Sequence, residues 1–187
     1  TKYMDGHNAT VGGAVVCTTQ EHADAVRFIQ GSTGSIMSPQ VAWLTSQGCK
    51  TMSLRLDAQS ANAMAIAEYL EGHDKVEQVS YPGLKSFPQH ELASNQATGY
   101  GAMLWFEVKG GLTAGKKLMD NIDVFSLAEN LGSVESLITH PVTMTHAAVE
   151  EAERIRVGII DGLVRVSVGL EDVEDLIEAL DKALAQI

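Results

Sequence analysis

Lys2 stands in Thr1-Lys2-Tyr3, ahead of a polar, glycine-punctuated run, Asp5-Gly6-His7-Asn8-Ala9-Thr10-Val11-Gly12-Gly13, and the apolar Ala14-Val15-Val16. An amine held in a pocket at a strand end is partly desolvated and becomes a nucleophile toward carbonyls. Most lysines are instead solvated surface charges, and residue type does not choose. Arg165 lies in Leu163-Val164-Arg165-Val166-Ser167-Val168. A cation inside an apolar strand needs a partner, because an unpaired buried charge costs about several kcal/mol. Its planar fork suits a carboxylate, either a protein acid such as Glu171 or the carboxylate of an amino-acid substrate. Both stay open. Glu129 reads equally as a solvated surface acid, and Thr145 as the N-cap of a helix running from Ala147. Of the six histidines, His140 and His146 form the closest pair. No cysteine or carboxylate stands beside them at ligand spacing, so no metal site is expected. Gly12-Gly13 is not a nucleotide-binding fingerprint, since G-x-G-x-x-G is absent and no helix follows directly.

The string T-K-Y-x-x-G-H-x-x-x-x-G-G resembles the cofactor-attachment segment of the Cys/Met-metabolism (trans-sulfuration) enzymes, which depend on pyridoxal 5'-phosphate. The resemblance continues in order as G-x-x-x-S-P-x-x-A-W-L around Pro39, Y-P-G-L-x-S-x-P-x-H from Tyr81 to His90, and L-x-R-x-S-x-G-x-E from Leu163 to Glu171. It implies that Lys2 carries the cofactor as a Schiff base and that Thr1 helps hold its phosphate. It also implies that Arg165 clamps the substrate α-carboxylate, with Asn130, Glu129 and Thr145 as further substrate-binding residues. Three departures stand out. The family text A-E-S-L-G-G reads Ala128-Glu129-Asn130-Leu131-Gly132-Ser133, with Asn130 in place of a serine. The family G-H-S-D reads Gly6-His7-Asn8-Ala9 and lacks the acid, and an arginine of L-R-G-x-K-T-L is lost at Gln47.

The implied activity is γ-elimination or γ-replacement on a sulfur amino acid or homoserine ester, first of the cystathionine γ-lyase or γ-synthase kind because of Glu129. Methionine γ-lyase or O-acyl-homoserine sulfhydrylase activity is the alternative, and a non-catalytic assembly subunit is the reading of another class. The implied setting is a cytoplasmic homotetramer with active sites shared between subunits. The implied fold is α/β, the aminotransferase-like fold type I. Residues 1–60 would then close the large cofactor domain and residues 61–187 form the smaller C-terminal one. The chain would be the latter half of a longer polypeptide. The preceding half would supply an aromatic stacked on the cofactor, an aspartate facing its pyridine nitrogen and a glycine-led phosphate loop.

The elements that must position these residues follow from periodicity. Gly13–Cys17 reads as a short buried strand, and Thr18-Thr19 as the N-cap of a helix over Glu21–Gln30 with Ala25, Phe28 and Ile29 on one face. Gly31–Ser35 reads as a polar break. Pro39 opens a helical stretch to Glu71 with an interruption at Gln47-Gly48. Strands are expected over Val76–Tyr81, Gly101–Val108, Val124–Leu127 and Leu163–Val168. The second of these is apolar on both faces and so expected to be covered on both. Leu112–Ile122 and the Asp172-capped run Val173, Leu176, Ile177, Leu180, Leu184 read as amphipathic helices. Strands alternating with such helices make a layered α/β arrangement.

The 187 residues are 45% hydrophobic and 20% charged, enough for one or two globular domains with a sizeable core. A net charge of −11 leaves no basic stripe to neutralise phosphates and argues against nucleic acid. No apolar run approaches the ~18 residues a membrane span needs. Cys17 and Cys49 stand in unrelated contexts, as in a reducing compartment without a disulfide framework.

Overall fold

A computed structural model describes residues 1–187. The chain divides into two compact units, Thr1–Met52 and Ser53–Ile187. The division falls in the same helical stretch as the domain boundary near residue 60 implied by the resemblance.

In the first unit, α1 (Gln20–Thr33) begins where Thr19 accepts a hydrogen bond from the His22 N–H, and it ends at Gly34, whose φ of 71° lies in the left-handed region. The helix therefore runs through the expected break at Gly31 and stops three residues later. Its apolar stripe exists but is uncovered, with Phe28 75% exposed. The strand expected over Gly13–Cys17 does not form, and Val16 is 92% exposed. A strand is completed by its neighbours, and no segment of this chain pairs with that run. Helix α2 (Pro39–Lys50) starts as the sequence predicts, with Pro39 in the first turn and the Ser38 hydroxyl accepting from the Val41 N–H.

The helical stretch breaks at Thr51, not at Gln47-Gly48. Gly48 stays helical and buried because the Met4 and Asp5 carbonyl oxygens pack where its Cβ would be. It is a packing glycine rather than a helix breaker.

The second unit is a five-stranded sheet in the order β1-β2-β5-β4-β3, with helices packed on it. The strands are β1 (Val76–Ser80), β2 (Met103–Val108), β3 (Ser126–Leu127), β4 (Leu137–Thr139) and β5 (Leu163–Ser167). All neighbours are antiparallel except β3 and β4, which run parallel. The helices are α3 (Met52–Glu71), α4 (His90–Gln96), α5 (Gly111–Asn121), α6 (Glu151–Arg156) and α7 (Val173–Leu184). One sheet face is dry: Leu104, Phe106, Val108, Val164 and Val166 are buried there, beneath α5, which packs in turn against α7. The other face of β2 carries Met103, Trp105 and Glu107, all half-exposed, so β2 is not covered on both sides as expected. Glu107 in that alternation is the residue that signals a wetter face.

Strand β4 and helix α4 were not evident in the sequence; a three-residue strand carries too few positions to show a period. The helix expected from Ala147 begins only at Glu151, with Glu150 at its N-cap and no side-chain cap, so Thr145 does not cap it. The Tyr81–His90 segment is structural. Tyr81 is fully buried with its hydroxyl donating to the Gly101 carbonyl at 2.8 Å, and His90 Nδ1 lies 2.8 Å from the Pro82 carbonyl.

Helix α7 is capped by Asp172, whose side chain accepts from the Glu174 N–H, and it buries Leu176, Ala179, Leu180, Ala183 and Leu184. Leu180 is fully buried. Leu180→Ala should destabilise the protein by about 2–5 kcal/mol, read as a lowered midpoint in chemical denaturation. A midpoint unchanged within error would contradict the packing described.

Candidate active site

The lysine loop is braced from within its own unit. Thr1 Oγ1 donates to the Gly12 carbonyl at 2.9 Å and accepts from the Gly12 N–H at 2.8 Å, closing the loop at its ends. The Lys2 carbonyl accepts from the Gly6 N–H at 2.7 Å, forming a tight turn directly behind the amine-bearing residue. Asp5 is buried, and its Oδ2 accepts from the N–H groups of His7, Ala9 and Thr10 at 3.3, 2.8 and 3.3 Å. Burial pushes the Asp5 carboxyl up, but those backbone donors and the Thr10 side chain outweigh it and hold the carboxyl below its ordinary 3.8. His7 Nδ1 lies 2.6 Å from the Asp5 carbonyl, and Thr10 Oγ1 lies 3.3 Å from Thr45 Oγ1 on α2. The loop thus has its acid at Asp5, and that acid bonds the main chain of Ala9, where the family acid is missing. Lys2 itself is exposed. Thr1's single hydroxyl proton points at Gly12, so a phosphate contact by Thr1 requires that bond to be exchanged.

In the second unit Arg165 occupies β5, the middle strand of the sheet, registered against Trp105 on β2 and Thr139 on β4. Directly opposed residues of antiparallel strands share a face, so these side chains lie on the half-open side. Arg165 is half-buried, and its Nη2 donates to the main-chain carbonyl of Asn130 at 3.0 Å. No carboxylate lies within ion-pair distance of it. Glu171, the protein acid considered as its partner, is engaged elsewhere: Oε1 accepts from the Ser136 N–H at 2.6 Å and Oε2 from the Ser136 hydroxyl at 2.8 Å. Glu107, on the same side of β2, accepts from Gln78 Nε2 at 3.1 Å.

Asn130 contacts Arg165 through its backbone, so this bond does not depend on whether serine or asparagine occupies the position. Glu129 is exposed and pairs with no cation. Thr145 is exposed, with Oγ1 2.8 Å from His146 Nδ1, and is not bonded to Arg165. The structure therefore joins Asn130 to Arg165 and leaves Glu129 and Thr145 apart from that contact. Thr139 went unnoticed in the sequence. It is buried, and its hydroxyl has no partner. Its only sequence signal is a polar residue after Leu137-Ile138.

A family model for Cys/Met metabolism PLP-dependent enzymes matches residues 1–185. This chain belongs to that family. A cystathionine gamma-lyase of Bacillus subtilis is 44% identical over the whole chain and 49% of its own length. An L-methionine gamma-lyase of Fusobacterium nucleatum subsp. polymorphum is 46% identical over the whole chain and 48% of its own. A crystal structure of cystathionine gamma synthase from Xanthomonas oryzae pv. oryzae, in complex with aminoacrylate and cysteine, superposes with a TM-score of 0.94 at 45% identity. It covers 99% of this chain and 48% of that one. The chain spans about half the length of the relatives it matches. The expected α/β, fold type I architecture holds for this member of the Cys/Met-metabolism family.

The family's cofactor needs a primary amine to bind its aldehyde. Lys2 is an exposed primary amine on a loop whose main chain is fixed on both sides, chemically able to meet that need.

The Asp5 brace has a pH signature. A carboxyl with a lowered folded-state value contributes its full stability above the unfolded value and loses it as pH falls through the folded one. Exchange protection of the Ala9 and Thr10 amides, corrected for intrinsic rates, should hold at neutral pH and fall as the solution is acidified below 3.8. Asp5→Asn should abolish that step. Protection that stays level into strong acid would remove Asp5 from the brace.

Proposed function

We propose that this chain forms the latter part of a pyridoxal-phosphate enzyme that performs γ-elimination or γ-replacement on a sulfur amino acid or homoserine ester. The observation that carries the reading is Arg165, a half-buried cation with a neutral main-chain oxygen as its partner and no protein acid in reach. Such a cation is costly to hold unless a carboxylate arrives, and the fork matches an α-carboxylate. Thr139, with its unpartnered buried hydroxyl on the same side of the sheet, offers a donor beside it.

When bound, the cofactor supplies the electron sink for carbanion chemistry. Lys2 Nζ would hold it covalently and, when not so engaged, move a proton at the substrate Cα. Thr1 would contribute its hydroxyl to the phosphate. Arg165 would fix the substrate carboxylate and so orient Cα, with Asn130 shaping that end of the site through its main-chain bond to the guanidinium. Thr145, exposed and bonded to His146, would reach the substrate only by exchanging that bond. Glu129, exposed and unpaired, suits a distal amino group on the substrate. This favours a cystathionine γ-lyase or γ-synthase activity over methionine γ-lyase or O-acyl-homoserine sulfhydrylase, a choice that identities of 44% and 46% do not make. We place residues 61–187 in the small domain and the assembly as a cytoplasmic homotetramer sharing active sites, by analogy with the family. No helix is long and apolar enough to cross a membrane.

Borohydride reduction of the full-length cofactor-loaded protein followed by peptide mapping should place the pyridoxyl group on Lys2. Label on Lys50 or Lys85 instead would sink that assignment. Arg165→Leu should leave the melting temperature nearly unchanged while lowering kcat/KM by thirty-fold to several-thousand-fold, the equivalent of about 2–5 kcal/mol for a lost charged contact. Arg165→Lys should recover little, because a point charge does not reproduce the fork. A destabilised but kinetically normal Arg165→Leu enzyme would end the clamp reading.

A further inference from the structure

The segment from Asn130 to Ser136 has no helix or strand of its own, yet it places the oxygen that Arg165 binds. What holds it is the far end of β5 and the turn beyond. Ser167 Oγ accepts from the Gly132 N–H at 2.8 Å. The Leu170 N–H donates to the Val134 carbonyl at 2.7 Å. Glu171 grips Ser136 at two atoms, and the Ser136 hydroxyl in turn accepts from the Gly169 N–H at 2.8 Å. Gly169 must be glycine, since a Cβ there would collide with the Val134 carbonyl, the Glu171 carboxylate and the Ser136 nitrogen. From α3, the fully buried Gln59 ties the Ser133 and Val168 carbonyls together at 2.7 and 2.9 Å. Arg165, Ser167, Gly169 and Glu171 are alternate residues of one run. The first binds Asn130, and the other three secure the segment that carries Asn130.

We propose that Glu171 is a positioning residue for Arg165, acting through Ser136 and the 130–136 segment to set the direction of the guanidinium fork. Glu171 is the charged member of this brace, and charge-assisted hydrogen bonds are the stronger ones. Cutting them frees the segment where it enters β4 and leaves the ties at Gly132, Ser133 and Val134 to hold it alone, so the Asn130 carbonyl fixes one side of the guanidinium less rigidly. The consequence falls on carboxylate binding, not on the reacting bond. The proposal rests on the reading of Arg165 as the substrate-carboxylate anchor.

The test uses the full-length cofactor-loaded enzyme and a competitive inhibitor that carries the carboxylate but no amine, 4-(methylthio)butanoate, beside its uncharged amide. Glu171→Ala should weaken inhibition by the acid about tenfold or more, the scale of a lost charged hydrogen bond. Inhibition by the amide should not change, and kcat should stay within about threefold while KM rises. Glu171→Gln, which keeps an oxygen for the Ser136 N–H, should recover much of the loss. In an Arg165→Leu background, Glu171→Ala should add nothing. If Arg165→Leu weakens the acid but Glu171→Ala does not, the positioning role is wrong while the anchor stands. If Arg165→Leu has no effect on the acid, the anchor reading fails and takes this proposal with it. An equal effect of Glu171→Ala in both backgrounds overturns it by showing that Glu171 acts elsewhere. Should Glu171→Ala not fold, Ser136→Ala removes the hydroxyl's bonds to Glu171 and to the Gly169 N–H while leaving the Ser136 N–H on Glu171, and it must show the same acid-selective loss in the Arg165 background only.

Discussion

A guanidinium on the middle strand of a sheet, with a neutral oxygen as its partner, is the constraint around which the second unit is arranged. A charge taken partly out of water must be answered by geometry and counter-charge. The sheet deals with this by dividing its faces. Leu104, Phe106, Val164 and Val166 are buried on one side, and the stability of the unit resides there. Met103, Trp105, Glu107 and Arg165 lie on the other, half-open side. Strand alternation makes the separation possible, because adjacent residues of β5 serve opposite purposes. Val164 and Val166 pack without reference to Arg165 between them. A ligand carboxylate on the half-open face would therefore meet its cation without disturbing the packed one.

What the sequence disclosed follows the range of the interactions involved. Helix α7 was legible because its cap and its apolar period are local: Asp172 and the leucines that follow specify it wherever it sits. Strands β2 and β5 were legible from composition. So were β1 and β3, found at Val76–Ser80 and Ser126–Leu127 within the expected runs, but β4 escaped notice because three residues show no period; only pairing with β5 and β3 defines it. The run Gly13–Cys17 is the converse case. Its composition is that of a buried strand, but strand formation needs a partner, and Val15 and Val16 remain exposed. Gly48 misled for a related reason. A glycine inside a helix looks like a break until the backbone packed against it, at Met4 and Asp5, is known.

The candidate site divides the same way. Residue type singled out Arg165, but only the fold shows that no protein acid pairs with it. Glu171 looked available in sequence and is committed to Ser136 in the structure. The lysine loop shows a second limit. Comparing motifs position by position registers a lost acid at Ala9, whereas the fold offers a carboxylate to that same amide from Asp5. Hydrogen-bonding needs are met in space, so an acid four residues earlier can bond a main chain that the motif would leave without one.

The two candidate regions solve one problem in a shared way. Each places a reactive or charged side chain on irregular backbone or beside it, and each fixes that backbone with a buried or half-buried acid that accepts main-chain N–H groups: Asp5 from His7, Ala9 and Thr10, Glu171 from Ser136. A carboxylate can accept several such bonds at once, and amide donors satisfy it without a neighbouring cation. That property matters near Lys2 and Arg165. A brace built from lysine or arginine would crowd like charge against them, and one built from a salt bridge would hold a free-standing acid close enough to capture them. An acid engaged by main-chain donors, three at Asp5 and one beside the Ser136 hydroxyl at Glu171, holds the loop without pairing with the cation. The negative charge of this chain is, at these two places, spent on shaping backbone around cations rather than on pairing with them.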